Sequence, residues 1–205
     1  MKIKKTINLI AAAAIITLAS FTEGGYKVGD KAADFKLKNT IDNKMVSMAD
    51  YKDAKGIIVV FTCNHCPFAV KYESRIMNLD KKFKAKGFPV IAISPNDPTI
   101  VSDDSPENMA KLAKDKKYSF PYLFDETQET AKTYGATKTP HVYILLKEKS
   151  DYIVKYIGAI DDNADDEKVV KEKYVENAIE NILAGKPVTP ETTKAIGCGI
   201  KWKKV

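Results

Sequence analysis

The sequence predicts an α/β protein: a central mixed β-sheet with helices on both faces, preceded by an N-terminal β-hairpin. Three observations carry this. Apolar, β-branched runs at 56–62, 88–94 and 141–146 are too continuous for half-exposed strands and too short for buried helices, so they read as strands covered on both sides. Stretches with helical spacing of apolar residues alternate with those runs. Turn-forming residues punctuate the boundaries.

In chain order, 35–37 and 45–48 are short strands around the turn residues of 39–43, a hairpin. Residues 56–62, Gly-Ile-Ile-Val-Val-Phe-Thr, form the first buried strand. Pro67 then suits the first turn of a helix, where its missing N–H costs nothing, and Ala69, Tyr72, Ile76, Leu79 and Phe83 follow at helical spacing. The strand at 88–94 is closed by Pro95-Asn96-Asp97-Pro98. Ser105 caps and Pro106 opens a second helix that runs to about Lys117. A short strand at 120–124 precedes a short helix at 126–134, stopped by Gly135. Strands at 141–146 and 153–157 make an antiparallel pair across 147–151. The last long helix spans 169–183, with Val170, Tyr174, Ala178 and Ile182 on one face. The order β-α-β-α-β-α-β-β-α closes into one sheet covered on both sides.

The chain has 205 residues, the size of one domain with additions, and its 44% hydrophobic and 29% charged content excludes a mainly disordered chain or a polytopic membrane protein. The net charge of +6 looks like a nucleic-acid signal until it is located. Lys2, Lys4 and Lys5 sit in the first 20 residues, and without them the charge is +3. Arg75 is the single arginine, so the bidentate fork of sequence-specific DNA readers is almost absent, and no nucleic-acid partner is expected. Those three lysines, an apolar run at 7–18 broken by Asn8 and Thr17, and small Ala19 and Ser20 have the pattern of a secretory signal over 1–20. The expectation is an exported protein, periplasmic or extracellular, with no stable membrane span after cleavage. The expected organisation is a leader at 1–20, a domain at 26–184 and a C-terminal tail at 185–205 that carries Cys198.

Export changes how cysteines are read. Cys63, Cys66 and Cys198 are too few and too odd in number for a disulfide scaffold. Cys63 and Cys66, in Cys-Asn-His-Cys, fall where a buried strand turns into a helix. Helix N-terminal N–H groups stabilise a thiolate there, and His65 can add positive charge. Cys63, just outside the first turn, is the expected nucleophile and Cys66 the resolving thiol. The competing reading, half a zinc site, lacks a second Cys-x-x-Cys or His pair. His65 and His141 are the only histidines. With the two cysteines they also suit a soft Cu(I) or Zn(II) site, for which Cys63, Cys66 and His141 are the candidate ligands. Cys198 stands open between a third redox thiol and a free cysteine. Arg75 reads as a solvated helix residue. Asp161, Asp162, Asp165 and Asp166 lack calcium-loop spacing and read as caps for the last helix.

The strand–Cys63-Asn-His-Cys66-Pro67–helix unit, with Thr139-Pro140 leading into a later strand, resembles the thioredoxin fold. Lys27-Val-Gly-Asp30 with Asp34-Phe35-Lys-Leu37 resembles the start of redoxins of the alkyl hydroperoxide reductase/thiol-specific antioxidant superfamily. The segments 61–67, Tyr134-Gly-Ala136, Thr139-Pro-His141, Gly158-Ala-Ile-Asp-Asp162 and Gly197-Cys198 with Ile200-Lys-Trp202 resemble its peroxiredoxin-like branch, so the likeness covers roughly 26–205. The resemblance implies a cis Thr139–Pro140 bond facing the Cys pair. It further implies a loop whose backbone meets an extended polypeptide, with Thr139 and Pro140 as substrate-binding residues.

The implied activity is thiol–disulfide oxidoreduction on protein thiols or disulfides with an unidentified redox partner, and no cofactor, since the electrons reside on sulfur. Two alternatives remain: a thiol peroxidase and a metal chaperone. The peroxiredoxin signature Pro-x-x-x-Thr/Ser-x-x-Cys fits neither Cys63, where Gly56 and Val60 take its places, nor Cys66, where Val59 and Cys63 do. Thr62 stands where thioredoxin has Trp, and Ile57 where it has a buried Asp. Thr62 and His65 are therefore the expected tuning residues of the pair.

Overall fold

The computed structural model describes residues 24–204; the leader expected at 1–20 lies outside them. The elements are β1 (Lys31–Ala32), β2 (Lys36–Asn39), β3 (Met45–Ser47), β4 (Gly56–Phe61), α1 (Pro67–Phe83), β5 (Val90–Ser94), α2 (Pro106–Asp115), β6 (Tyr122–Phe124), α3 (Glu129–Tyr134), β7 (Lys138–Thr139), β8 (His141–Glu148), β9 (Asp151–Gly158), α4 (Tyr174–Leu183) and β10 (Cys198–Gly199). Eight strands form one mixed sheet in the order β1-β9-β8-β4-β5-β6-β2-β3. β4, β5 and β6 are parallel; the other neighbours are antiparallel.

β4 is central and every one of its residues is buried, which is why its sequence shows no alternation. Ile58 and Val60 face a core shared with Tyr72, Ile76 and Leu79 of α1, Met109 of α2 and Val175 and Ile179 of α4. Ile57, Val59 and Phe61 face the other core, against Ala131 and Tyr134 of α3, Phe35, Met48 and Tyr143. Gly56 opens the strand because a Cβ there would lie 2.3 Å from both the Leu145 carbonyl oxygen and the Phe88 ring.

The last helix is shorter than expected. Asp166 accepts from Lys168 N–H at 2.9 Å and caps a 3₁₀ turn at Glu167–Val169, not α4. Val170 is extended, and Asp162 takes the Lys171 N–H at 3.0 Å, so the chain reaches Tyr174 before it coils. Asp165 pairs with Lys71 at 2.6 Å on the surface. Asp161 is buried, where it receives the Tyr72 hydroxyl at 2.8 Å and Arg75 Nη1 at 2.6 Å and 2.8 Å. The aspartates therefore do not cap the last helix, and Arg75 is not solvated. Its place on α1, over the Tyr72 ring at 4.6 Å, turns it inward.

Residues 185–205, expected as a tail, are bound along the domain as far as they are described. Thr192 bridges Ile157, and Ala159 N–H donates to Thr193 Oγ1 at 2.9 Å. β10 pairs antiparallel with β7, Cys198 opposite Thr139. Beyond it, Lys201 N–H donates to Asn96 at 2.8 Å and Lys203 N–H to Gln128 at 2.8 Å.

Candidate active site

Cys63 leaves the end of β4 and Cys66 is the N-cap of α1, with Pro67 as the first helical residue. The Thr139–Pro140 bond is cis. The loop it forms faces both thiols: Cys63 Sγ lies 3.1 Å from Thr139 Oγ1, and Cys66 Sγ donates to the Thr139 carbonyl at 3.2 Å. Both sulfurs are covered, Cys63 at 4% exposure and Cys66 at 0%. Thr62 is buried at the end of β4, its N–H on the Ile93 carbonyl at 2.9 Å.

The pair behaves as one acid that shares a proton. The hydrogen bond from the Cys63 thiol pulls Cys66 down against its burial, helped by Cys198 and the Ala69 N–H of the first helical turn. The same hydrogen bond pushes Cys63 up, and burial and the nearby Asp104 carboxylate add to this. The two shifts are opposite in direction and belong to the pair as a unit, with one proton shared between the sulfurs.

Asp104 is the residue the sequence did not reveal. It ends the 3₁₀ turn Ser102–Asp104, is fully buried, and caps the Cys-Asn-His-Cys loop from outside the helix. One carboxylate oxygen accepts the N–H groups of Asn64 at 2.7 Å and His65 at 3.2 Å. The other accepts Asn96 Nδ2 at 2.8 Å and lies 2.5 Å from His65 Nδ1. Asn64 is further held by the Tyr122 hydroxyl, 2.9 Å from its Oδ1. The His65 imidazole is thus paired with a carboxylate that itself opposes ionisation of Cys63, so any charge His65 lends to Cys63 is offset. The sequence held only an indirect hint: with Ile57 where thioredoxin carries its acid, a buried acid is either missing or supplied from elsewhere in the chain.

His141 and the two thiols do not form a ligand set. Among the described residues the group close enough to share a metal is Cys63, His65 and Asp104, with ligand atoms within 4.8 Å of one another. Both Asp104 oxygens already have two hydrogen-bond partners each, which makes that group a hydrogen-bonded loop clamp. His141 lies opposite Phe61 in the sheet, with its ring 4.9 Å from that of Tyr143, and its Nδ1 accepts the Thr137 N–H at 3.4 Å.

Burial pushes the His141 imidazole down to about 4 from its ordinary 6.5. The unfolded chain takes a proton that the folded chain refuses, so the stability this group contributes is complete above about pH 6.5 and is lost as pH falls towards 4. The loss amounts to about 3 kcal/mol, at ~1.4 kcal/mol per pH unit. A His141→Phe variant is expected to show a flatter urea midpoint than the parent between pH 7 and 4. Parallel pH curves for the two proteins would refute this.

Thr139 and Pro140 are both buried, and the strand edge beside Thr139 is already paired with Cys198 of β10. While the tail is in place, β10 occupies the edge of β7 beside Thr139. Around the covered Cys63, Asn64, His65 and Phe68 are half-buried and Pro67 is exposed.

The AhpC/TSA family model matches residues 28–162. The chain is 25% identical over 122 residues to the thiol-disulfide oxidoreductase ResA of Bacillus thuringiensis subsp. konkukian, covering 60% of this chain and 65% of that protein. It thus spans just under two thirds of that relative's length. An uncharacterized conserved protein from Geobacillus kaustophilus superposes with a TM-score of 0.80 at 38% identity, over 87% of this chain and 94% of its own. The exposed lipoprotein thioredoxin of Streptococcus pneumoniae matches with a TM-score of 0.54 at 19% identity, over 75% and 99% of the two chains, a likeness of fold alone.

Proposed function

Because this chain belongs to the AhpC/TSA family, we propose that it is an exported thiol–disulfide oxidoreductase working through Cys63 and Cys66. The observation that carries the reading is the placement of both sulfurs at a strand–helix junction, each within 3.2 Å of Thr139. The activity named for the ResA relative is of the same class. In the reductive direction a Cys63 thiolate attacks one sulfur of a substrate disulfide, whose other sulfur leaves with the electron pair. Cys66 then attacks Cys63, releases the substrate as a dithiol and leaves Cys63–Cys66 oxidised. The reverse sequence oxidises a substrate dithiol. Protein thiols or disulfides are the substrate class.

The leader read at 1–20 supports export to a periplasmic or extracellular space, followed by the redoxin domain at 26–184 and a segment at 185–205 that brings Cys198 to the pair. No helix among the described residues is long and apolar enough to cross a membrane.

Two assays on the reduced protein test the reading. Dithiothreitol-driven insulin reduction should be accelerated. Oxidation by hydrogen peroxide in stopped flow should be slow and linear in peroxide, because the residues that polarise a peroxide in the peroxiredoxin signature are absent here. Fast, saturating oxidation together with no insulin reduction would move the function to thiol peroxidase.

A further inference from the structure

We propose that Cys198 is the third thiol of an internal disulfide relay, which moves the disulfide from Cys63–Cys66 to Cys66–Cys198 and returns Cys63 as a free thiol. The proposal rests on the reading of Cys63 and Cys66 as a redox pair. Cys198, 132 residues along the chain from Cys66, joins Cys63 and Cys66 in one cluster with Ala69 and Phe68. Cys66 links the three: its sulfur receives the Cys198 backbone N–H at 3.3 Å, and it shares Thr139 as a partner with Cys63.

That placement is built, not incidental. β10 pairs with β7 so that Cys198 stands opposite Thr139, the residue that touches the other two sulfurs. A Cβ on Gly197 would fall 2.1 Å from the Thr139 carbonyl oxygen, so a glycine there lets the strand come this close. Downstream, the Lys201 carbonyl accepts Asp97 N–H at 2.9 Å and Gln128 Nε2 at 2.9 Å. Asn96, which donates to Asp104 at the Cys63 loop, accepts from Lys201 N–H with its other side-chain atom. The strand carrying Cys198 and the loop carrying Cys63 thus hang on one amide.

The step balances without an outside oxidant or reductant. The Cys198 thiolate attacks Cys66 Sγ; the Cys66–Cys198 bond forms as Cys63–Cys66 breaks, and the electron pair leaves on Cys63. Cys63 takes up a proton to match the one Cys198 gave up. The electrostatics gate the step in the right order. In the reduced protein, burial, then the hydrogen bond to Cys66 and its charge, push Cys198 up to about 11, against the pull of Lys201 and Lys138. Oxidation of the pair removes the charge on Cys66, which leaves burial alone opposing the two lysines. Cys198 therefore becomes a better nucleophile once there is a disulfide for it to attack.

The test is disulfide mapping of the full chain. Reduced protein is oxidised with oxidised glutathione, quenched in acid, alkylated below neutral pH, digested and analysed by mass spectrometry. Both Cys63–Cys66 and Cys66–Cys198 are expected, the second in roughly a tenth or more of the oxidised protein, as for two bonds of comparable strain. Cys63→Ser should still form Cys66–Cys198, and Gly197→Ala should lose most of that linkage while keeping Cys63–Cys66. Cys63–Cys66 as the sole linkage in the parent, with Cys198 fully alkylated there and in Cys63→Ser, overturns the relay and leaves the redox pair standing. Absence of Cys63–Cys66 from the parent and from Cys198→Ser overturns the underlying reading as well.

Discussion

Replacing Cys63 by serine is expected to reduce disulfide turnover by on the order of a thousandfold or more, the scale seen when a covalent nucleophile is lost. Cys66→Ser is expected to fail differently, by holding on to its substrate. The asymmetry comes from position. Cys63 lies outside α1 in the loop of half-buried Asn64 and His65, whereas Cys66 is the N-cap, fully buried under Thr139 and beside Cys198. Cys66 is also the neighbouring acceptor for the Cys63 proton, which pulls Cys66 down and pushes Cys63 up. In Cys66→Ser that acceptor is gone, and burial and Asp104 still oppose ionisation of Cys63. Mixed disulfides should therefore form slowly at neutral pH, faster as pH rises, and then persist because the resolving thiol Cys66 is gone and the Cys198 backbone is bound at position 66 rather than at Cys63. Intact-mass analysis after incubation with a disulfide-bonded polypeptide reads both variants. Persistent adducts through Cys66 in the Cys63→Ser protein would reverse the assignment of the two thiols.

Much of this site was legible because its signals are local. Gly56 to Phe61 can only be a central strand, Pro67 marks where the helix begins, and the thiols between them are placed by those two facts. The Thr139-Pro140 loop was legible by resemblance. What the sequence hid depends on contacts across the chain. Asp104 sits in Ser-Asp-Asp-Ser-Pro and reads as a loop acid before a helix cap; nothing nearby tells that it is buried against His65, 39 residues away. Arg75 is flanked by Ser74 and Ile76 and reads as an exposed helix position until the loop after β9 delivers Asp161 to it. The start of α4 was missed because Val169 and Val170 continue a helical spacing, while Asp162 and Asp166 bind that stretch's N–H groups in other geometries. Cys198 was visible as a residue and invisible as a neighbour, since a two-residue strand carries no pattern of its own.

The hidden Arg75–Asp161 contact sets the largest expected effect on stability. Arg75 is 7% exposed, its Nη1 donates to both oxygens of Asp161 and to the Asn163 carbonyl at 2.5 Å, and its Nε has no hydrogen-bond partner. Asp161→Ala would leave a guanidinium that cannot lose its proton inside the α1 core face, and Tyr72 would lose its acceptor as well. Removing one partner of a buried pair typically costs about 3–5 kcal/mol, because the other charge stays buried without compensation. For a chain of this size that corresponds to a fall in melting temperature of roughly 10 °C. The double variant Arg75→Met/Asp161→Leu, which takes both charges out and keeps the volume, is expected to be more stable than either single change, since two desolvation costs disappear together. The pair also fastens α1, whose first residues carry the Cys66 end of the site, to the loop that follows β9. Guanidinium denaturation of the parent, the two single variants and the double variant measures the coupling as a closed cycle. Additive losses, with the double variant the least stable of the four, would mean that the pair is not an energetic unit and that Arg75 is held by its stacking on Tyr72 instead.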